Sequence, residues 1–308
     1  SAVAEVSFSS SFSTGISNFE VGAVLVFAKF LFSVILLNIP LLTFIAFLPT
    51  KFALPFPSNL YVVTPLSFNL SIIVFVFFGY KIYNYNKEEN ELEKLRDDLI
   101  EGAIIKNVPE NQISEGMEGT KLPIEIDFSV LKSKNKDIVA WLYSEGTPIN
   151  YPIAQSNDND YYLRRLLDGT YNQNGTIFMD YKNNSNFEDY NTIIYGHNMK
   201  NDTMFGTLTN YKNQEYFNEH QNMYLFTENK NFKIELFAGY ITSSESDIYN
   251  FPKDMNSNEK LIKTAKEKST FKSDVEVNSD DKIITLSTCS YDYGNARYVL
   301  LGVLKELE

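Results

Sequence analysis

The chain has 308 residues, 44% of them hydrophobic and 21% charged, with a formal net charge of −12. That length supports one or two domains with a substantial core, and the acidic balance, with no basic cluster, argues against nucleic acid as a partner. One cysteine, Cys289, and two histidines, His197 and His220, are too few for a Cys/His metal cluster, so neither metal nor other cofactor is expected.

In chain order, the first region is almost uncharged: residues 1–68 hold four side chains charged at neutral pH, Glu5, Glu20, Lys29 and Lys51. The run from Val21 to Leu48 is long enough to span a bilayer and is interrupted only by Lys29, Asn38 and Pro40. A second run, Tyr61 to Tyr83, has its strongest part at Leu70 to Tyr80, short for a span unless extended back through Pro65 and Asn69. Residues 1–85 therefore predict a hydrophobic region with one or two transmembrane segments, a buried pair of core helices being the alternative. A cleavable signal peptide fits poorly, because a basic leading segment and a clear small-residue cleavage site are both missing.

Residues 86–123 predict a helical stalk and linker. Leu92, Leu95 and Leu99 make an apolar stripe among charges, which suits a stalk or a docking helix, and Lys106 to Pro123 is polar with Gly and Pro. The catalytic domain is expected over 124–308. It opens with a helical pattern, "DFSVLKSKNKDIVAWLY", and continues as "INYPIAQ", "GTIFMDY", "NTIIYGH", "NFKIELFAGYIT", "DKIITLSTC" and "RYVLLGVLKEL", each with strand character and bounded by Asn, Asp or Gly. A further helix, Asn256 to Ser269, precedes the Cys-bearing strand. The expected architecture is a mainly antiparallel β domain, a closed barrel with helices at its edges.

His197 follows a Gly at the end of "NTIIYGH", where a side chain can leave the sheet toward a cleft, whereas His220 lies among polar neighbours and is expected to be a solvated surface residue. Most free cysteines are small buried hydrophobes. Cys289 differs in ending a strand, "LSTC", with Arg297 opening the next strand after a seven-residue turn, Ser290 to Ala296. An antiparallel hairpin would set the two side by side. A guanidinium there favours the thiolate and can hydrogen-bond a developing oxyanion. Otherwise Arg297 would pair with a carboxylate such as Asp292. A Cys–His–Arg set competes at this point with a purely structural reading.

"TLSTC" followed by an arginine at a strand start, with "NTIIYGHNM", "TMFGTL", "INYPIAQ" and "GTIFMDYKNN" upstream, resembles the class B sortases from about Asp127 to Leu307. His precedes Cys as in that family; papain-like proteases have the opposite order. The resemblance implies an eight-stranded sortase β-barrel and a Gram-positive cell-surface transpeptidase, held in the cell membrane with its catalytic domain outside. Cys289 would attack the threonine carbonyl of a C-terminal sorting signal, His197 would move the proton and Arg297 would hold the oxyanion. Asn150, Tyr195, Ser287 and Thr288 fall where the family lines its substrate groove. The implied partners are surface proteins bearing the signal and an amine of the peptidoglycan cross-bridge or its lipid-linked precursor. Two other readings stay open: a membrane-anchored cysteine hydrolase acting on the same signal, and a non-catalytic interaction module on the same barrel.

Overall fold

Eight strands close into a barrel in the computed structural model, which describes residues 60–105 and 122–307. They are β1 (Ile138–Tyr143), β2 (Asn150–Ala154), β3 (Phe178–Met179), β4 (Asn191–Tyr195), β5 (Asn222–Phe226), β6 (Asn231–Ser243), β7 (Ile283–Cys289) and β8 (Ala296–Leu307). Around the barrel the order is β8, β6, β5, β1, β2, β3, β4, β7 and back to β8. Closure leaves no open sheet edge among these strands, the usual solution for a lone antiparallel sheet. The barrel is not wholly antiparallel: β2 pairs with β3, and β4 with β7, in parallel.

All six expected strands are present. The other two of the eight strands that the resemblance implied had not been placed on the sequence, and each has a physical reason. The helical reading from Asp127 to Tyr143 holds only for α2, Phe128–Lys134, where the Asp127 side chain caps the amides of Ser129 and Val130. The helix stops because Asn135 turns extended, with φ −152° and ψ 124°, and the apolar residues that follow form β1. Four of the six residues of β1 are buried, so it lacks the in–out alternation that marks a half-exposed strand. β5 is a short strand whose Met223 and Leu225 point inward.

The chain divides into two compact units, Ser1–Lys87 and Glu88–Glu308. A helix, α1, runs over Leu60–Ala103. In the second unit it is a docking helix, not a free stalk: Leu92 packs with Ala140 and Tyr151, while Leu99 and Ala103 pack with Trp141 and Phe226. Glu88 and Glu89 accept hydrogen bonds from Asn172 and Asn201, the former on its carbonyl and the latter on its carboxylate. In the first unit, eight large apolar side chains between Ile72 and Tyr83 are exposed. Among the described residues no helix is long and apolar enough to cross a membrane. The expected span over Val21–Leu48 lies outside those residues, and Tyr61–Tyr83 is helical without being established as a span.

The helix expected before the Cys-bearing strand is α4, Met255–Lys268, started by a capping box between Asp254 and Ser257. It packs on β6 through Ile262 and Ala265, which join Phe237, Val299 and Leu301 in one apolar cluster. This cluster backs the β6–β8–β7 face of the barrel. A short helix, α3 (Gln214–Glu219), precedes β5.

Candidate active site

Cys289 is the last residue of β7, and it sits directly opposite Arg297 in the antiparallel register with β8. Opposed residues have Cα atoms roughly 4.5–5.5 Å apart and side chains on one face. The strand begins one residue earlier than expected, at Ala296, leaving a connection over 290–295. That loop is pinned at its base, where the Ser290 amide donates to the Ala296 carbonyl at 2.9 Å. Asn295 takes φ +61°, a left-handed conformation that asparagine tolerates. Asp292 is not the partner of Arg297. It pairs with Lys212 at 2.7 Å and with the Ser290 hydroxyl, whereas Arg297, opposite Cys289 in the register, donates from Nη1 to the Ala296 carbonyl at 3.0 Å.

The histidine arrives from the other neighbour of β7. Tyr195, at the end of β4, is level with Ser287, and the chain beyond it stays attached to β7. The Gly196 amide donates to the Ser287 carbonyl at 3.1 Å, the Thr288 hydroxyl donates to the Gly196 carbonyl at 2.8 Å, and Asn198 Nδ2 donates to the Cys289 carbonyl at 2.8 Å. His197 lies between these ties, so it is carried alongside Cys289. Gly196 is required there, because a Cβ would meet the Phe205 ring at 2.6 Å, closer than real Cβ atoms approach. The Phe205 amide returns to the His197 carbonyl at 3.1 Å.

The imidazole is half-buried, and its Nε2 lies 2.9 Å from the Leu163 carbonyl. A carbonyl only accepts, so Nε2 carries the proton and Nδ1 is left as the acceptor. Burial pushes the His197 pKa below its ordinary 6.5; the Leu163 carbonyl opposes this, and Arg164 and Arg297 reinforce it. Neutral His197 is therefore the state of the folded protein at pH 7. His197 therefore contributes stability above pH 6.5 that is lost as pH falls from 6.5 through its native pKa. The C2 proton resonance of His197 is expected to titrate below pH 6.5, and His197→Gln should remove the corresponding acid-side loss of melting temperature. A native titration at or above 6.5 would contradict this.

The four expected groove residues occupy unlike settings. Tyr195 donates its hydroxyl to buried Asp180 at 3.0 Å, and its pKa is driven upward by burial and by that carboxylate; its ring stacks on Tyr249 at 6.2 Å. Ser287 and Thr288 are buried with their hydroxyls engaged, Ser287 with Tyr249 at 2.8 Å and Thr288 with Gly196. Asn150 opens β2, where its Oδ1 accepts from the indole of Trp141 at 2.7 Å. Among these, Tyr195, Ser287 and Thr288 adjoin Cys289 through the β4–β7 pairing. His220 is half-buried and not freely exposed: it caps the C-terminus of α3, stacks on Tyr216 at 4.3 Å and donates from Nδ1 to the Tyr216 carbonyl at 3.0 Å. Sequence reasoning missed Leu163, Arg164, Asp180, Asn198 and Tyr249. Asn198, next to His197, and Asp180, within "GTIFMDYKNN", lay where the motifs could have pointed. No group of residues suited to a metal ion occurs among the described residues.

A family model described as the sortase domain matches residues 142–305. Sortase B of Listeria monocytogenes is 35% identical over 237 residues, covering 75% of this chain and 92% of that protein. Sortase B of Staphylococcus aureus is 31% identical, covering 77% and 93%. Among solved structures, Clostridium perfringens sortase B is similar at 38% identity with a TM-score of 0.56, covering 59% of this chain and all of that one.

Proposed function

The chain belongs to the sortase family and is a cysteine transpeptidase, and on that footing we propose that it cleaves a C-terminal sorting signal after its threonine and passes the acyl group to a peptidoglycan amine. The observation that carries this reading is the register that sets Cys289 opposite Arg297 while the strand on its other side delivers His197. Cys289 Sγ adds to the threonine carbonyl, and Arg297 donates hydrogen bonds to the oxygen as it gains charge. His197 accepts the thiol proton and gives it to the departing amine, which leaves a thioester. The incoming amine then adds, loses its proton to His197, and expels the thiol. Tyr195, Ser287, Thr288 and Asn150 contribute to the groove in this reading, the buried hydroxyls by shaping its floor. A solved complex described as Staphylococcus aureus sortase B with substrate, at TM-score 0.59, is consistent with a peptide signal as the ligand.

The enzyme works at the outer face of the cell membrane in this proposal, with residues 1–85 as its anchor; the exposed apolar side chains from Ile72 to Tyr83 support a lipid-facing role for that helix. Incubating the protein with a sorting-signal peptide, with and without an amine acceptor, and weighing the products tests the reaction. Acyl product on the amine is expected. Acyl transfer only to water would favour the hydrolase, and no cleavage would favour an interaction module.

Arg297→Lys is expected to lower the rate by about a hundredfold or more, as for a lost oxyanion donor, with little change in melting temperature. Lysine keeps the charge but not the planar fork. Asp292→Ala should leave the rate near that of the parent, because Asp292 pairs with Lys212. A nearly active Arg297→Lys enzyme would remove Arg297 from the catalytic set.

A further inference from the structure

Two consecutive residues of α1 reach the two segments that hold His197. On one side, Glu88 accepts at its carbonyl from Asn172 Nδ2 at 2.8 Å and at its carboxylate from the Gln173 amide at 3.1 Å. Asn172 is fully buried, and its amide donates to the Arg164 carbonyl at 3.1 Å, one residue from the Leu163 carbonyl that takes the His197 Nε2 proton. On the other side, the Glu89 carboxylate accepts from Asn201 Nδ2, four residues beyond His197. The other end of the Asn201 amide is engaged within the loop, where its Oδ1 accepts from the Thr203 hydroxyl at 2.7 Å. That loop needs an outside tie. Asp202 and Met204 take φ of +63° and +51°, left-handed conformations that residues with a Cβ seldom adopt, and such a backbone persists only where its surroundings fix it. The Met204 amide donates to the Tyr151 hydroxyl at 3.0 Å, which also accepts from Arg96 of α1 at 3.2 Å. The Phe205 amide then closes the loop on the His197 carbonyl at 3.1 Å, so a shift at 201–204 is passed to His197.

We propose that Glu89 is a positioning residue for His197, acting through Asn201 to hold the 198–206 loop that keeps the imidazole alongside Cys289. The inference rests on the transpeptidase reading above for its kinetic consequence. α1 is then more than a packing element: the turn at Glu88 and Glu89 fixes the segment that sets the tautomer of His197 and the segment that sets its place. A catalytic group displaced by about 1 Å can cost about a hundredfold in rate, and losing one tie among several should cost less. Leu92 and Leu99 keep the helix docked when the Glu89 bond is removed, so the fold should survive.

In the full chain, with the signal peptide of the assay above and triglycine as the amine, Glu89→Ala is expected to lower kcat about tenfold and leave KM for the peptide unchanged. Asn201→Asp keeps the acceptor for Thr203 but sets a second carboxylate against Glu89, and it should fall as far. Combining Glu89→Gln with Asn201→Asp restores the bond with donor and acceptor exchanged, so most of the rate should return. The chain's two histidines give two C2 proton resonances. That of His197 should move in Glu89→Ala and Asn201→Asp and return in the exchanged pair, while that of His220 stays in place, with melting temperatures showing that each variant is folded. Parental kcat and an unmoved His197 resonance in the single variants, or no recovery in the exchanged pair, would overturn the proposal. Failure of the transpeptidase reading would appear differently, as a parent that passes no acyl group to triglycine while the His197 resonance still responds to Glu89 and Asn201.

Discussion

Cys289→Ala is expected to lower release of the signal's C-terminal fragment by at least about 10⁴-fold, the scale on which enzymes lose activity with their nucleophile. The fold should survive, because the contact that ties Cys289 to the histidine loop is made by its backbone carbonyl to Asn198, which alanine keeps. The side chain is only half-buried at a strand end, so truncation leaves no closed cavity. Steady-state release measured beside the melting temperature checks both halves. Turnover retained in a folded Cys289→Ala protein would dismiss the thioester mechanism.

His197→Ala should be nearly as damaging, lowering the rate by about 10³- to 10⁴-fold, at the upper end for a lost acid–base group. In the proposed mechanism the same imidazole serves both half-reactions, so hydrolysis and transfer to an amine should fall together. His220→Ala supplies the control. Its ring stacks on Tyr216 and its Nδ1–H satisfies the Tyr216 carbonyl, so its loss should cost about 1 kcal/mol of stability and little rate. Rates and denaturant midpoints for both variants decide the matter. Equal loss of rate at the two histidines would mean that the acid–base role had been assigned to the wrong group.

Much of this site was legible because its central relation is local. Cys289 and Arg297 belong to one hairpin, so spacing alone sets them opposite each other. The docking helix was legible for a similar reason: Leu92, Leu95 and Leu99 repeat at helical intervals, and two of them are buried. β1 was not, since its buried residues follow α2 after a short break and show no period of two. The supports of His197 were hidden for another reason. Leu163 belongs to a turn between β2 and β3 and meets His197 only in three dimensions, as Tyr249, between β6 and α4, meets Ser287 of β7. The partner of Asp292 was likewise unreadable, because Lys212 lies before α3 and meets the 290–295 loop only in three dimensions.

The strand that carries Cys289 takes its place between β4 and β8. Its parallel pairing with β4 skips over β5, β6 and α4, which is the slowest kind of contact for a chain to find, since a long loop must lose its freedom before any pairing rewards it. Until that seam zips, Cys289 has Arg297 opposite it in its own hairpin but no imidazole alongside. Refolding from denaturant should accordingly return secondary structure first and thioester-forming ability only in the last kinetic phase. The final closure of the barrel thus acts as a safety catch, withholding His197 from the thiol until folding is complete.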